Sequence, residues 1–178
     1  MCAVRNDNTT DGKRRCPLWA ACRAGKPNVA RLLLAEHALV DQPDDDGNTP
    51  LSAACQYGHM ECAEICLDKG ARVQALNKKG LTPLLVAISA RQPAVAWMLL
   101  ERGARADVKA PSGMDALQLA QMAVKTSPSE AGKKLLARLE GAAQSEREAR
   151  KEMQQAMARA APAAVPAAMA ASQPQEIS

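Results

Sequence analysis

The tripeptide Thr-Pro-Leu occurs twice in this chain, at Thr49-Pro50-Leu51 and Thr82-Pro83-Leu84, with an offset of 33 residues. Stepping back by the same distance reaches Cys16-Pro17-Leu18, and stepping forward reaches Asp115-Ala116-Leu117. The glycines keep the step as well: Gly47, Gly80 and Gly113, then Gly25 and Gly58, then Gly70 and Gly103. One period shared by several residue types marks a repeat architecture, in which each unit buries its apolar face only by stacking on its neighbours.

Each unit parses into two short helices. Thr49, Thr82 and Asp115 can N-cap the first by accepting a backbone N–H bond. Pro17, Pro50 and Pro83 follow at the first helical position, where a missing N–H costs nothing. Gly25 and Gly58 can end that helix in a left-handed conformation. The second helix runs through "PNVARLLLAE", "MECAEICLDK" or "PAVAWMLLER", and Gly70 and Gly103 can end it. Gly47, Gly80 and Gly113 suit a tight turn into the next unit. Helices of about three turns are marginal alone, so stacking must supply the burial. The composition agrees: 47% of residues are hydrophobic but only 2% aromatic, and Phe is absent. Packed helices suit small apolar side chains better than a β-sandwich does.

The stretch "DGNTPLSAACQYGHMECAEICLDKGARV" resembles the ankyrin repeat nearly throughout. The resemblance covers residues 11–142 as four repeats, roughly 11–43, 44–76, 77–109 and 110–142. It implies an all-α solenoid of paired antiparallel helices with hairpin-like loops. We expect residues 1–10 to be a flexible N-terminus, 143–160 a helical extension, and 161–178 an Ala/Pro-rich disordered tail. Three departures carry expectations. Cys16 replaces the capping Thr and should weaken that cap. His37 stands in the column of Gly70 and Gly103. Arg91 replaces the glycine after the third repeat's first helix, at a cost of about 1–2 kcal/mol if the left-handed conformation is kept. After Ala123 the register slips and Leu135, Leu136 and Leu139 come late, which suggests a capping repeat with a lengthened loop at residues 126–129.

The segment "CQYGHMECAEIC" brings together Cys55, His59, Cys62 and Cys66, all of them zinc-ligand types. The repeat argues against a metal. Cys55 shares its column with Cys22 and Ile88, Cys62 with Val29 and Val95, and Cys66 with Leu33 and Leu99. These are core slots, and a free Cys behaves as a small buried hydrophobe. His59 shares a column with Lys26 and Gln92, which we read as a surface slot. A Cys22–Cys55 disulfide is not expected, because equivalent positions in ankyrin-like stacks lie about 10 Å apart, beyond bridging reach. Asp44, Asp45 and Asp46 begin like a calcium loop, but Thr49 and Cys55 stand where Gly and Glu are needed. No phosphate-cradling loop or serine nucleophile motif is present. We therefore expect no catalytic residue, no metal site and no cofactor.

Ankyrin-like stacks bind through the loop tips and the exposed side of the first helices, which form a concave face. Carried onto this chain, the resemblance offers Trp19 and Arg23 from the first repeat and Asp44, Asp45, Asp46 and Asn48 from the next loop. It adds Gln56 and Tyr57, then Lys78, Lys79 and Leu81, then Ser89. Trp19 and Tyr57 are either interface anchors or covers for neighbouring helices, and both readings stay open. Trp97 shares a column with Arg31 and Glu64, and a C-terminal helix or a partner should cover it. The expected function is a non-catalytic protein-binding module, whether adaptor, inhibitory or targeting subunit, monomeric on its own. The alternative is a nucleic-acid-associated factor using Lys13, Arg14, Arg15, Lys78 and Lys79, but the net charge is only +4 and the aspartates interrupt the basic stripe. The opening "MCAVRNDNTTDGKRR" has no apolar h-region and no run approaches a membrane span. We expect reduced thiols, no membrane partner, and an intracellular protein in cytoplasm or nucleus.

Overall fold

Every first helix begins on a side-chain cap. Thr49 Oγ1 accepts from Ser52 N and Thr82 Oγ1 from Leu85 N, each at 3.3 Å. Asp115 forms a full capping box with Gln118, which satisfies two helix-end donors reciprocally. Cys16 keeps the role with sulfur, accepting from Trp19 N at 3.3 Å.

The computed structural model describes residues 12–160; residues 1–11 and 161–178, which hold the expected flexible N-terminus and Ala/Pro-rich tail, lie outside the described residues. Eight helices and no strand occur among the described residues. They are α1 (Pro17–Arg23), α2 (Pro27–Ala35), α3 (Pro50–Tyr57), α4 (Met60–Asp68), α5 (Pro83–Ser89), α6 (Pro93–Glu101), α7 (Ala116–Thr126) and α8 (Glu130–Ala160). Each of α1, α3 and α5 pairs with the helix that follows it. The first helices α1, α3, α5 and α7 stack in order, as do the second helices α2, α4 and α6. The chain divides into two compact units, Met1–Ala143 and Gln144–Ser178.

The core of the first unit runs through the stack as a column of small and medium side chains. Leu18, Leu51 and Leu84 are fully buried, as are Cys22, Cys55 and Ile88. Each fills the same slot in its repeat, so one repeat's core is continuous with the next. The terminal repeat is less covered. Val29 is 47% exposed although Cys62 and Val95 in its column are buried, and Leu33 is only half-buried. Among the described residues α2 packs chiefly against α1 and α4.

Among the described residues, the three non-glycine residues with positive φ all stand in glycine columns. His37 (φ 62) takes the place of Gly70 and Gly103, and Arg91 (φ 59) that of Gly25 and Gly58. Arg14 (φ 54) stands one period before Gly47, a match the sequence reading missed. The turn geometry thus persists where the preferred residue is gone, although an L-residue pays about 1–2 kcal/mol there.

The fourth repeat departs from expectation in one respect. The loop at residues 127–129 is no longer than the one at residues 90–92; the extra residues lie in the helix. α7 has 11 residues against 7 in α5. The column that ends the earlier first helices holds Val124 here, and a β-branched residue does not adopt the left-handed turn. The helix continues until Ser127, which precedes Pro128 and is extended (φ −150, ψ 85), as pre-proline sterics require. α8 then starts with Ser129 Oγ accepting from Gly132 N at 3.0 Å. Leu135 and Leu139 from it are buried.

Candidate interaction face

The loop tips build one another. Asp44 Oδ1 accepts from the backbone N–H groups of Asp46 and Asn48 at 2.9 and 2.7 Å. Asn77, one period later, does the same for Lys79 and Leu81 at 3.0 and 2.9 Å. Such Asx turns fix a tip without help from the core. Adjacent tips are then joined: Asp45 N donates to Lys13 O, Lys78 N to Asp46 O, and Asn77 Nδ2 to Asn48 Oδ1 at 2.9 Å. Asp44 and Asn48 are therefore framework residues. Asn77 was not singled out in the sequence, although its period-mate Asp44 was.

The side chains of Asp45, Asp46, Lys78 and Lys79 have a different status. All four are exposed. None makes a hydrogen bond or ion pair through its side chain among the described residues. Two carboxylates and two ammonium groups are thus presented side by side on neighbouring tips. Behind them, Asn48, Gln56, Lys79, Leu81 and Ser89 line one shallow hollow of about 230 Å³ with Asn77, Val86 and Ala90. The hydroxyl of Ser89 donates to Leu85 O at 2.7 Å within its own helix.

At the other end of this face, the Arg23 guanidinium lies over two rings, 5.6 Å from the Trp19 centroid and 5.5 Å from that of Tyr57. Arg15 lies over Trp19 as well, at 5.2 Å. These are cation–π distances. Tyr57 is 43% exposed, but Trp19 is only 7% exposed, so Trp19 is a platform for the arginines rather than an exposed anchor. Its Nε1–H is buried with no acceptor, which costs about 1–3 kcal/mol. Trp97, in contrast, is 37% exposed. Its Nε1 donates to Glu101 at 2.8 Å, and Arg138 of α8 lies over its ring at 5.7 Å.

The described cysteines are core. Cys22, Cys55, Cys62 and Cys66 are at most 1% exposed. Burial pushes the Cys55 thiol far above its ordinary range, and it raises those of Cys16 and Cys62. The Cys22 thiol is raised by its hydrogen bond to Cys66 and then by burial. A thiol held protonated is neither nucleophile nor ligand. Cys22 Sγ and Cys66 Sγ meet at 3.5 Å, a contact the repeat pattern does not reveal. His59 is half-buried, not the surface residue expected. Its Nε2 is 3.1 Å from Arg23 O, and its ring covers Gly25, where an added Cβ would meet Nδ1 at 2.5 Å. Gln92 covers Gly58 in the same manner.

A sequence model of the family described as ankyrin repeats (3 copies) matches residues 2–75 and 18–111. The chain belongs to the ankyrin-repeat family. No curated protein matches it. Ankyrin repeats are generally protein–protein interaction modules, and the fold is typically non-catalytic. Among the described residues of this ankyrin-repeat chain, no helix is long and apolar enough to cross a membrane.

Proposed function

We propose that the chain is a non-catalytic interaction module, an adaptor or an inhibitory or targeting subunit, that binds a partner protein through its loop tips and first-helix face. The observation that carries this reading is the pair of neighbouring tips with unpaired, opposite charges, Asp45 and Asp46 beside Lys78 and Lys79. Unpaired tip charges in fixed register favour a partner with the reciprocal pattern and an association that weakens with salt. The same aspartates oppose a continuous phosphate backbone, which argues against nucleic acid as the main partner.

The test is proximity labelling in cells with the wild-type chain and with Asp45→Asn, Asp46→Asn, Lys78→Gln and Lys79→Gln combined. These exposed substitutions leave the Asx turns intact, so the circular dichroism spectrum should be unchanged. Partners labelled by the wild type should be lost or much reduced. An unchanged partner set would refute the assignment of the binding face.

A further inference from the structure

We propose that Ser127 is a phosphorylation site for a proline-directed protein kinase, and that Arg91 of the third repeat holds the phosphoryl group once it is there.

The chain contains three Ser/Thr-Pro pairs: Thr49-Pro50, Thr82-Pro83 and Ser127-Pro128. The first two are inaccessible. Thr49 and Thr82 are 3% and 1% exposed, their hydroxyl oxygens cap α3 and α5, and the two residues after each are buried. Ser127 is the reverse case. Every residue from 125 to 130 is exposed. Ser127 is extended, the geometry imposed on a residue before proline. Two neighbouring hydroxyls at this turn are engaged. Thr126 Oγ1 donates to Met122 O and Ala123 O, at 3.1 Å each, and Ser129 Oγ accepts from Gly132 N at 3.0 Å. The Ser127 hydroxyl makes no hydrogen bond among the described residues. A kinase takes its substrate as an extended segment, so the last turn of α7 must unravel. Because residues 125–130 are exposed, that opening gives up no buried side chain of theirs.

The co-reactant is ATP. Ser127 Oγ attacks its terminal phosphorus, the new O–P bond forms, and the bond from that phosphorus to the bridging oxygen breaks. ADP leaves, and the hydroxyl proton passes to the base of the kinase.

The product suits its surroundings. Arg91 Nη2 donates to Thr126 Oγ1 at 3.3 Å, next to Ser127, and Arg91 and Ser127 line the same cavity of about 190 Å³. Arg91 pairs with no carboxylate among the described residues, and neither does Lys125 in the last turn of α7. Glu130, the acid of this turn, is already paired with Lys133 at 2.8 Å. A phosphoryl group brings a charge of about −1.5 to −2 and several acceptor oxygens, and a guanidinium binds it through paired N–H groups. The contact so made ties the fourth repeat to the third across that cavity.

The test incubates the full-length protein with a purified proline-directed kinase and Mg-ATP, follows uptake by intact mass and maps it by tandem mass spectrometry. Ser127 should take up a phosphoryl group, and Thr49 and Thr82 should take up none. Ser127→Ala should abolish uptake, and Pro128→Ala should slow it severalfold. No phosphate at Ser127, or uptake at Ser129 or the buried threonines instead, overturns the proposal. Phosphorylation should then raise the temperature at which the fourth repeat unfolds by about 2–4 °C, and the rise should be lost in phosphorylated Arg91→Gln. No rise, or an equal rise in Arg91→Gln, overturns the role given to Arg91.

Discussion

Between the first three repeats, a side chain of each unit seats on a glycine of the unit before it: His59 on Gly25 and Gln92 on Gly58. Between the third and fourth repeats, Arg91 occupies the glycine's place, α7 runs on past the seat, and a cavity of about 190 Å³ remains. Ile88, Ala120, Val124 and Leu135 form its apolar walls, and Arg91 reaches Thr126 Oγ1 at 3.3 Å beside it. The difference teaches what the glycine column does. It ends a helix in time, and it also leaves room for the next repeat to close down. Where it is lost the stack still forms, but the joint is looser.

The comparison can be broken most directly in the core. Leu99→Ala, at a fully buried position of the regular stack, should cost about 2–5 kcal/mol and lower the urea midpoint in a single cooperative step. Leu139→Ala, equally buried but in the fourth repeat, should instead release an early, separate phase. Identical one-step curves for both would mean that the looser joint is not a boundary in stability.

Next in size is an alkaline effect confined to the first two repeats, which hold the buried thiols. The folded-state pKa values of Cys16, Cys22, Cys55 and Cys62 are raised, so the native state keeps protons that the unfolded state loses. Stability from these groups is complete below the ordinary value of 9.0 and declines above it. The expected loss is about 1.4 kcal/mol per thiol per pH unit. Urea midpoints at about pH 8 and about pH 10 under reductant measure it. Cys55→Ala should flatten the dependence, and an equally steep curve in that variant would refute the assignment.

Two glycine-column substitutions sharpen the comparison further. Gly58→Ala should destabilise by about 1–2 kcal/mol from backbone strain and more where its methyl meets Gln92. Arg91→Gly should go the other way, gaining about 0.5–1 kcal/mol once the entropy of glycine is counted. Thermal unfolding of the pair decides it: a destabilised Arg91→Gly would show that the arginine contributes more than its backbone costs.

Much of the fold was legible because the period repeats the physics. A cap, a proline and a helix-stopping glycine recur at fixed steps, so each copy supports the others. What the period does not encode is contact between unlike positions. Cys22 and Cys66 are 44 residues apart, one repeat plus the distance from a first helix to a second, and comparing columns does not bring them together. The same limit hid the role of His59, whose column gave its depth but not the glycine beneath it. Arg14 escaped notice because the first repeat has lost both its capping Thr and its turn glycine. On the interaction face, tip charges were readable from the loops. That Trp19 is covered by arginines was not, since a lone Trp on a helix carries no record of what lies over it.

The distribution of sulfur gives the molecule a built-in clock. Every described cysteine is free and buried, and all lie before residue 67, within the first two repeats. An alkylating reagent in solution reaches them only when those repeats part. The rate at which Cys16, Cys22, Cys55, Cys62 and Cys66 are modified in the native protein therefore times the breathing of one end of the stack, while the other end, which has no sulfhydryl, contributes nothing to the signal.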